Sequence, residues 1–422
     1  MFRYCYKINS NNLSNFSFSD KNDTITSLSH TFANCSNFTD LVFPKTIIDA
    51  CKNATNFYGL FGYGFADNSR GLSFSGVKLF KLPRGSRDGT GYDFGLFAYN
   101  SNFKTVTWDL FEGIPYNAIS NVNFAFYTSD ITSFDCSCLS NYIGGLTSLK
   151  GLLGSCSALT TVSNLNSLKG KSGTPNNITD ISLLFYKTPA ITTLIADLKA
   201  ALFSGLPNLK TAWLTFYNSS LVSGTNVVSG LLSANTKLEH IGGMFANCSN
   251  FSLPNNFSLF QNDIDNLKTN SHPYLKNATA LFANCEFKSP INLTKYFFCG
   301  ANNLEYLSNL YIDSTTFGIN ATESIDYGAF GNITSIESIS ADLFKHNSSL
   351  KSAYKLFKGT KLSMSYKCKE DDLEVKSFVI PYKLFKGCSK LTNLESAFDS
   401  TEFIGINNPS TTPTSPFLPS VI

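Results

Sequence analysis

Charge is scarce in this chain, and arginine scarcer still. Only 15% of the residues are charged, against roughly a quarter in an ordinary soluble domain. The four arginines are Arg3, Arg70, Arg84 and Arg87. With 33 Lys and Arg against 30 Asp and Glu, the net charge is +3. A nucleic-acid binder presents a basic face, and there is no excess here from which to build one. Tryptophan (2) and methionine (3) are rare while Phe numbers 38, so one aromatic type is used systematically. The chain has no run of eighteen apolar residues, so no membrane insertion is expected. Its start, MFRYCYKINSNNLSNFSF, lacks the apolar stretch of a secretory signal.

Catalytic constellations are missing too. The four histidines, His30, His240, His272 and His346, lie far apart with no Cys or His at ligand spacing, and read as solvated or capping residues. Cys136 and Cys138 form a C-x-C without the second pair a structural zinc site needs. The glycine-rich GYGFADNSRG (62–71) and GTGYDFG (89–95) match neither phosphate-binding pattern, and read as loops. There is no Gly-x-Ser-x-Gly elbow. Asp263 and Asp265, and Asp371 and Asp372, are too few for a calcium cage and read as loop carboxylates. Sequons such as those at Asn34, Asn247, Asn277 and Asn347 arise by chance in an Asn/Ser/Thr-rich chain. No catalytic residue, metal or cofactor is expected, and the chain reads as a non-enzyme.

What the chain does hold is one phrase, copied. KLEHIGGMFANCSNFSLP (237–254) recurs as SLSHTFANCSNFTDLVFP (27–44), ATALFANCEFKSP (278–290), SLKSAYKLFKGTKLS (349–363) and NLESAFDSTEFIGI (393–406). The spacing of Leu238, Ile241, Met244 and Phe245 predicts a short amphipathic helix, followed by a small residue, Cys248, and a brief extended piece. The apolar residue before the small slot recurs at Phe2, Phe32, Phe61, Phe97, Phe126, Leu153, Phe185, Phe216, Phe245, Phe282, Tyr311, Phe330, Phe357 and Phe398. The period is about 27 to 32 residues, with three long units and one short one. A second Phe often lies 13 residues earlier, as Phe203, Phe298, Phe344 and Phe385 do. The slot holds Cys5, Cys35, Cys156, Cys248 and Cys285, or Ser129, Thr188, Ser219, Ser314 and Thr360. Such a slot suits a buried ladder of free structural thiols and hydroxyls. A disulfide between neighbouring repeats, Cys5–Cys35 or Cys248–Cys285, is the rival reading and requires an oxidising compartment.

After each slot comes a short tract rich in β-branched residues, such as FKTVTW (103–108), ITSF (131–134), LTTV (159–162), ITTLIA (191–196) and SIESI (335–339), which reads as a strand. The expected fold is α/β: a leucine-rich-repeat solenoid of about fourteen coils, each one short parallel strand plus one short helix. It forms a single array over residues 1–406, with a Pro/Ser/Thr-rich extended tail at 407–422. An all-helical solenoid, with IADLKAALFSGLPNLKTAWLTF (195–216) as two helices, is the alternative. MFRYC opens in the middle of a unit, which implies that further repeats or a partner cover that face.

The phrases LFKGCSKLTNLESAF (384–398), SIESISADLFKHNSSLKSAYKLF (335–357) and GMFANCSNF (243–251) resemble the BspA-like bacterial leucine-rich repeats. That family occurs in bacterial surface proteins and in proteins of phages infecting gut bacteria. The resemblance covers nearly the whole chain, from Phe2 to about Ile406. It implies adhesion, surface display or virion structure, with an extracellular surface or virion location, and it supplies no catalytic residues. The slot is often Ser or Thr here, and the Ile-Pro ending of the family's strand is mostly missing.

Insertions in a repeat array map to loops and often to a binding face. The first long unit, between Phe61 and Phe97, holds Arg70, Arg84 and Arg87 beside Tyr63 and Tyr92. Arg and Tyr dominate binding hot spots, so these five are the expected binding residues for a cell-surface glycan or protein, or for other modules of the same particle. The second long unit surrounds His272 and Tyr274, and the third contains SYKCKEDDLEVKSF (365–378). A structural spacer or virion component without a ligand is the competing function.

Overall fold

Backbone turns, and not helices, are what the recurring phrase builds. The computed structural model describes residues 2–5, 25–35, 54–62, 91–101, 103–111, 114–171, 173–191, 197–220, 227–263, 265–267, 270–312, 323–333, 336–363, 366–367, 374–375, 384–399 and 402–404. Among the described residues the single α-helix is α1 (Leu198–Ala201), and the strands are two to four residues long, in small separate sheets. The expected leucine-rich-repeat solenoid of about fourteen strand-plus-helix coils is therefore corrected: the fold is mainly non-helical.

The reason lies in where the phrase sends its N–H groups. In 241–248, Ala246 N–H closes a turn on Gly243 O (3.1 Å) and Cys248 N–H closes one on Phe245 O (3.1 Å). The alternate donors leave the phrase for the next copy: Gly243 to Thr279 O (2.8 Å), Phe245 to Leu281 O (3.1 Å) and Asn247 to Ala283 O (2.9 Å). An α-helix spends its N–H groups on its own i−4 carbonyls and has none to send across. Two left-handed residues per phrase, Gly243 (φ 61°) and Asn247 (φ 58°), make the alternation possible. The same pairs occur at His30 and Asn34, Leu96 and Asn100, and Ala280 and Asn284. Asn holds the second place at Asn34, Asn100, Asn218, Asn247, Asn284 and Asn332, because its short polar side chain tolerates this region. Successive three-residue turns bring residues three and four apart to one side. Leu238, Ile241, Met244 and Phe245 are thus all fully buried, in a helix-like spacing without a helix.

The chain divides into two compact units, one of Met1–Thr193, Ala200–Leu209 and Asn218–Leu221, the other of Leu194–Lys199, Lys210–Tyr217 and Val222–Ile422. In the first, β1 (Tyr92–Asp93) pairs in parallel with β3 (Ile119–Asn121), and β2 (Thr105–Val106), β4 (Ser133–Asp135) and β5 (Thr161–Ser163) form a parallel sheet. In the second, β6 (Ser249–Phe251) pairs with β7 (Glu286–Phe287), and β8 (Ile291–Leu293), β11 (Ile336–Ile339), β12 (Lys361–Ser363) and β15 (Glu402–Ile404) form a parallel sheet in that spatial order. Two antiparallel pairs, β9 (Leu310–Ile312) with β10 (Glu323–Ile325) and β13 (Tyr366–Lys367) with β14 (Glu374–Val375), complete it.

The marker phenylalanines stack copy on copy. In the second unit Phe216, Phe245, Phe282, Phe330, Phe357 and Phe398 form a column with ring centroids 5.3–6.3 Å apart and planes within 19°. Phe298, Phe344 and Phe385, from the earlier place in the unit, form another. Burying each ring contributes roughly 2–3 kcal/mol, and each stacked pair about 1 kcal/mol more. Two marker positions are corrected. Leu96 is left-handed and Phe61 N–H donates to Phe97 O, which puts Ala98, not Phe97, in line with Phe61 and Phe126. Tyr311 lies on β9 and is 70% exposed. The β9–β10 pair is an excursion inside one phrase, which leaves after Leu307 and resumes where Ala329 N–H bonds Leu307 O (2.8 Å).

The small slot carries a directed hydrogen bond. Cys35 Sγ donates to Phe2 O (2.9 Å), Cys156 to Phe126 O (3.0 Å), Cys248 to Phe216 O (2.9 Å) and Cys285 to Phe245 O (3.0 Å). Thr360 Oγ1 bonds Phe330 O in the same way (2.6 Å). The slot thus needs a small donor, which explains its Cys, Ser and Thr content. Burial pushes the Cys35 thiol up to about 11 and Cys156 to about 12, and the thiols are free.

Many phrases begin on a one-residue parallel bridge whose side chain caps the next turn: Asn56 Oδ1 accepts from Tyr58 N–H (3.0 Å), Asp93 from Gly95 (2.8 Å), Asp180 from Ser182 (2.8 Å) and Asn277 from Thr279 (3.0 Å). One residue earlier, the second unit alternates charge across neighbouring copies, as Lys210, Glu239, Lys276, Glu305 and Lys351. Lys210 pairs with Glu239 (3.2 Å) and Lys351 with Glu305 (2.7 Å). Like charges directly opposite would repel.

The left-handed positions give the first test. At exposed Asn100 (φ 50°), Asn100→Val is expected to cost about 1–2 kcal/mol in urea unfolding while Asn100→Gly stays within about 0.5 kcal/mol. Equal effects would contradict the role given to Asn.

Candidate binding cleft

The second long unit, between Phe245 and Phe282, holds the candidate site. It carries the chain over a cleft of about 470 Å³ lined by Ser233, Thr236, Phe260, Gln261, Asn262, Asp263, Asn266 and Ser271. Hydroxyls and carboxamides dominate the lining, with Asp263 as its one carboxylate.

Backbone geometry places these groups. Gly230 is left-handed (φ 68°) and a Cβ there would collide with Asn262 Oδ1. Gly300 (φ 100°) leaves room for Gln261 Nε2 and Ser271 Oγ in the same way. Asn262 Oδ1 accepts from Ser233 Oγ (3.0 Å) and from the Lys199 ammonium. Gln261, 4% exposed, donates from its backbone N–H to Ser258 Oγ (3.1 Å) and from Nε2 to Ser271 Oγ (2.8 Å) and Cys299 O (3.4 Å). Asp263 Oδ1 accepts from Asp265 N–H (2.9 Å). The wall is therefore held from behind, while Asn262, Asp263 and Asn266 are exposed toward solvent.

Beneath it lies His272, fully buried against the Phe260 ring (4.5 Å). Its Nε2 bonds Leu232 O (2.9 Å) and its Nδ1 bonds Ser271 Oγ (2.9 Å). A carbonyl only accepts, so Nε2 carries the proton and Nδ1 accepts from the serine hydroxyl. Burial lowers the imidazole's pKa, opposed by the Leu232 bond. This corrects the expectation of a solvated or capping residue. His30 and His240 are not on helices either: His30 is a left-handed turn residue, and His240 is a bridge residue stacked on Trp213 (5.2 Å, 18°).

Of the expected binding residues, Arg70, Arg84, Arg87 and Tyr63 lie outside the described residues. Tyr92 is described and is corrected: it sits in β1 at 0% exposure, stacked on Phe57 (6.4 Å, 9°), as a core ring. Cys136 and Cys138 are buried on a 3-10 turn, Cys136–Leu139, and burial raises both thiols. Among the described residues no group of three or more His, Cys, Asp or Glu is placed to hold a metal ion, and no helix is long and apolar enough to cross a membrane.

In the sequence this unit stands out by its length and not by its groups. Gln261, Asn262 and Ser271 sit in polar sequence like that of any loop, and the Leu232 carbonyl that fixes His272 lies 40 residues away. The readable signals were the unit's length and the His in it. No protein-family model, curated protein or solved structure matches this chain.

The histidines make stability pH-dependent. Burial, the leading cause, lowers the pKa of His30, His240, His272 and His346 in the folded chain. Between the folded values and the unfolded value of about 6.5, the unfolded chain binds more protons, so stability falls as pH falls. Thermal unfolding followed from pH 7.5 to 5 is expected to show a Tm that drops from about pH 6.5 downward. A Tm that holds or rises over that range would contradict this. Further loss is expected at lower pH, where Glu305, held low by the Lys351 hydrogen bond, and Asp326, held low by Lys355 and Lys358, protonate.

Proposed function

We propose that this chain is a non-enzymatic binding protein, displayed on a bacterial surface or a virion, that engages a cell-surface glycan through the cleft of the second unit. The observation that carries the reading is the lining itself: neutral hydroxyls and carboxamides with a single carboxylate, fixed by hydrogen bonds from behind and open in front. Sugar hydroxyls are donors and acceptors at once, and carboxamides and carboxylates pair with them in both senses. A few well-placed polar groups in a concavity are enough to orient a ligand. The low net charge agrees with recognition by hydrogen bonding at short range. The surface or virion setting rests on the resemblance of the repeat phrases to BspA-like proteins.

A structural spacer is the second reading, favoured by the phenylalanine column and the alternating Lys/Glu ladder, which serve to extend the repeat.

A glycan array probed with the whole chain separates the two. Wild type is expected to bind a subset of glycans, with Asp263→Ala plus Asn266→Ala weakening it at least tenfold. Both residues are exposed, so the fold is left intact. Binding unchanged in this variant, or no binding to any glycan, would sink the cleft reading. Loss of binding only when Arg70, Arg84 and Arg87 are replaced together would move the site to the first long unit.

A further inference from the structure

The cleft wall contains a hydroxyl whose proton is committed to a titratable ring. Ser271 Oγ donates to His272 Nδ1, because Nε2 of the ring is protonated and bound to Leu232 O. The same oxygen accepts from Gln261 Nε2 at 2.8 Å. A hydroxyl has one proton and two lone pairs, so a single lone pair is left to face the cleft, which Ser271 lines. A Ser-His contact of 2.9 Å also occurs at Ser29 and His30, so the dipeptide geometry alone is local. What is particular to 271–272 is the full burial of the imidazole, the carbonyl on its far nitrogen and the carboxamide on its serine.

We infer that Ser271 is a specificity-determining residue for the glycan: with His272 neutral it presents only an acceptor and selects a ligand hydroxyl that donates, and with His272 protonated it presents a donor instead. This inference rests on the reading of the cleft as a glycan site. On protonation, Nδ1 gains a proton from solvent and donates it toward Ser271 Oγ. Both serine lone pairs are then taken, by His272 and Gln261, and its own O–H turns outward. The elements packed on the ring are Leu232–Ser233, Phe260–Gln261, Ser271 and Cys299–Gly300. Their titratable side chain is the buried Cys299 thiol, which burial raises. The charged groups at the cleft among the described residues are Asp263, Asp265 and Lys199. Burial lowers the pKa of His272, so the exchange falls below the ordinary imidazole value of about 6.5.

Two measurements on the full chain test this. The first needs no ligand: ring ¹⁵N NMR of the histidines from pH 8 to 4.5, with His272 assigned by its disappearance in His272→Gln. The Nε2–H tautomer is expected at pH 7.5, protonating below about 6.5, and Ser271→Ala is expected to lower that midpoint, because it removes the acceptor that takes the charge-assisted Nδ1–H bond of the protonated ring. An Nδ1–H tautomer, or an unchanged midpoint in Ser271→Ala, overturns the inference whatever the array shows. The second uses the tightest-binding oligosaccharide of the array and its mono-O-methyl ethers, which accept but cannot donate. At pH 7.5 one ether is expected to bind about tenfold more weakly than the parent. That penalty shrinks at pH 5 and disappears at both pH values in Ser271→Ala. A penalty independent of pH and of Ser271 overturns the assignment of specificity. If no oligosaccharide binds at either pH, the proposed function falls, and the assignment of ligand specificity falls with it. The proton switch within the wall then stands or falls on the ring spectra alone.

Discussion

The structure depends on a division of backbone donors. In each phrase, alternate N–H groups close turns at home and the others cross to the next copy, as at Gly243, Phe245 and Asn247. This requires a left-handed residue at each reversal, at about 1–2 kcal/mol where the residue is not glycine. The marker ring that each phrase buries contributes more than one such residue costs. The balance leaves room for a Leu or a Phe at some reversals, such as Leu96, Leu183 and Phe124. It also explains the composition. Asn, Ser, Thr and Gly are frequent because turns, caps and slots consume them, and charge is scarce because few positions have a use for it.

Register between copies is held by volume as well as by hydrogen bonds. Where one copy carries a large ring, its neighbour carries glycine: a Cβ at Gly154 would lie 2.6 Å from Tyr127, one at Gly151 would collide with the Phe124 ring, and one at Gly242 with Trp213. The gap at Gly154 lets Tyr127 and Tyr186 stack at 6.4 Å, with planes 12° apart. A slip by one copy would set ring against ring and like charge against like along Lys210, Glu239, Lys276, Glu305 and Lys351. A frame pinned in this way gives the cleft residues fixed positions on segments that themselves carry little regular structure.

Much of this frame was legible in the sequence. The period, the Phe anchors and the small slot all correspond to features of the fold: ring columns and a directed ladder of thiols and hydroxyls. The helix was not legible as a turn run, because spacings of three and four are common to both. The distinguishing residue, an Asn two places after the marker, looks like an ordinary polar residue until its backbone angle is known. Tyr92 looked like a surface anchor because its neighbours in sequence are loop residues, yet its bridge to Ile119 and its stack on Phe57 bury it. His272 owes its character to Leu232 and Phe260, and neither partner can be inferred from spacing. The cleft was visible as an interruption of the pattern and invisible as chemistry.

The β9–β10 excursion changes what a repeat is in this molecule. Leu307 and Ala329 are 22 positions apart in the sequence, yet they meet through one hydrogen bond and continue a single phrase. The neighbouring copies contact that phrase as though the chain had never left, since Ala280 bonds Ser308 O on one stretch and Phe282 bonds Ala329 O on the other. Membership in the array is therefore decided by what a segment can offer its two neighbours, and contiguity is not required. Segments could enter or leave such a molecule at the middle of a unit, and the surfaces they bring would diversify while the frame beneath them kept its spacing.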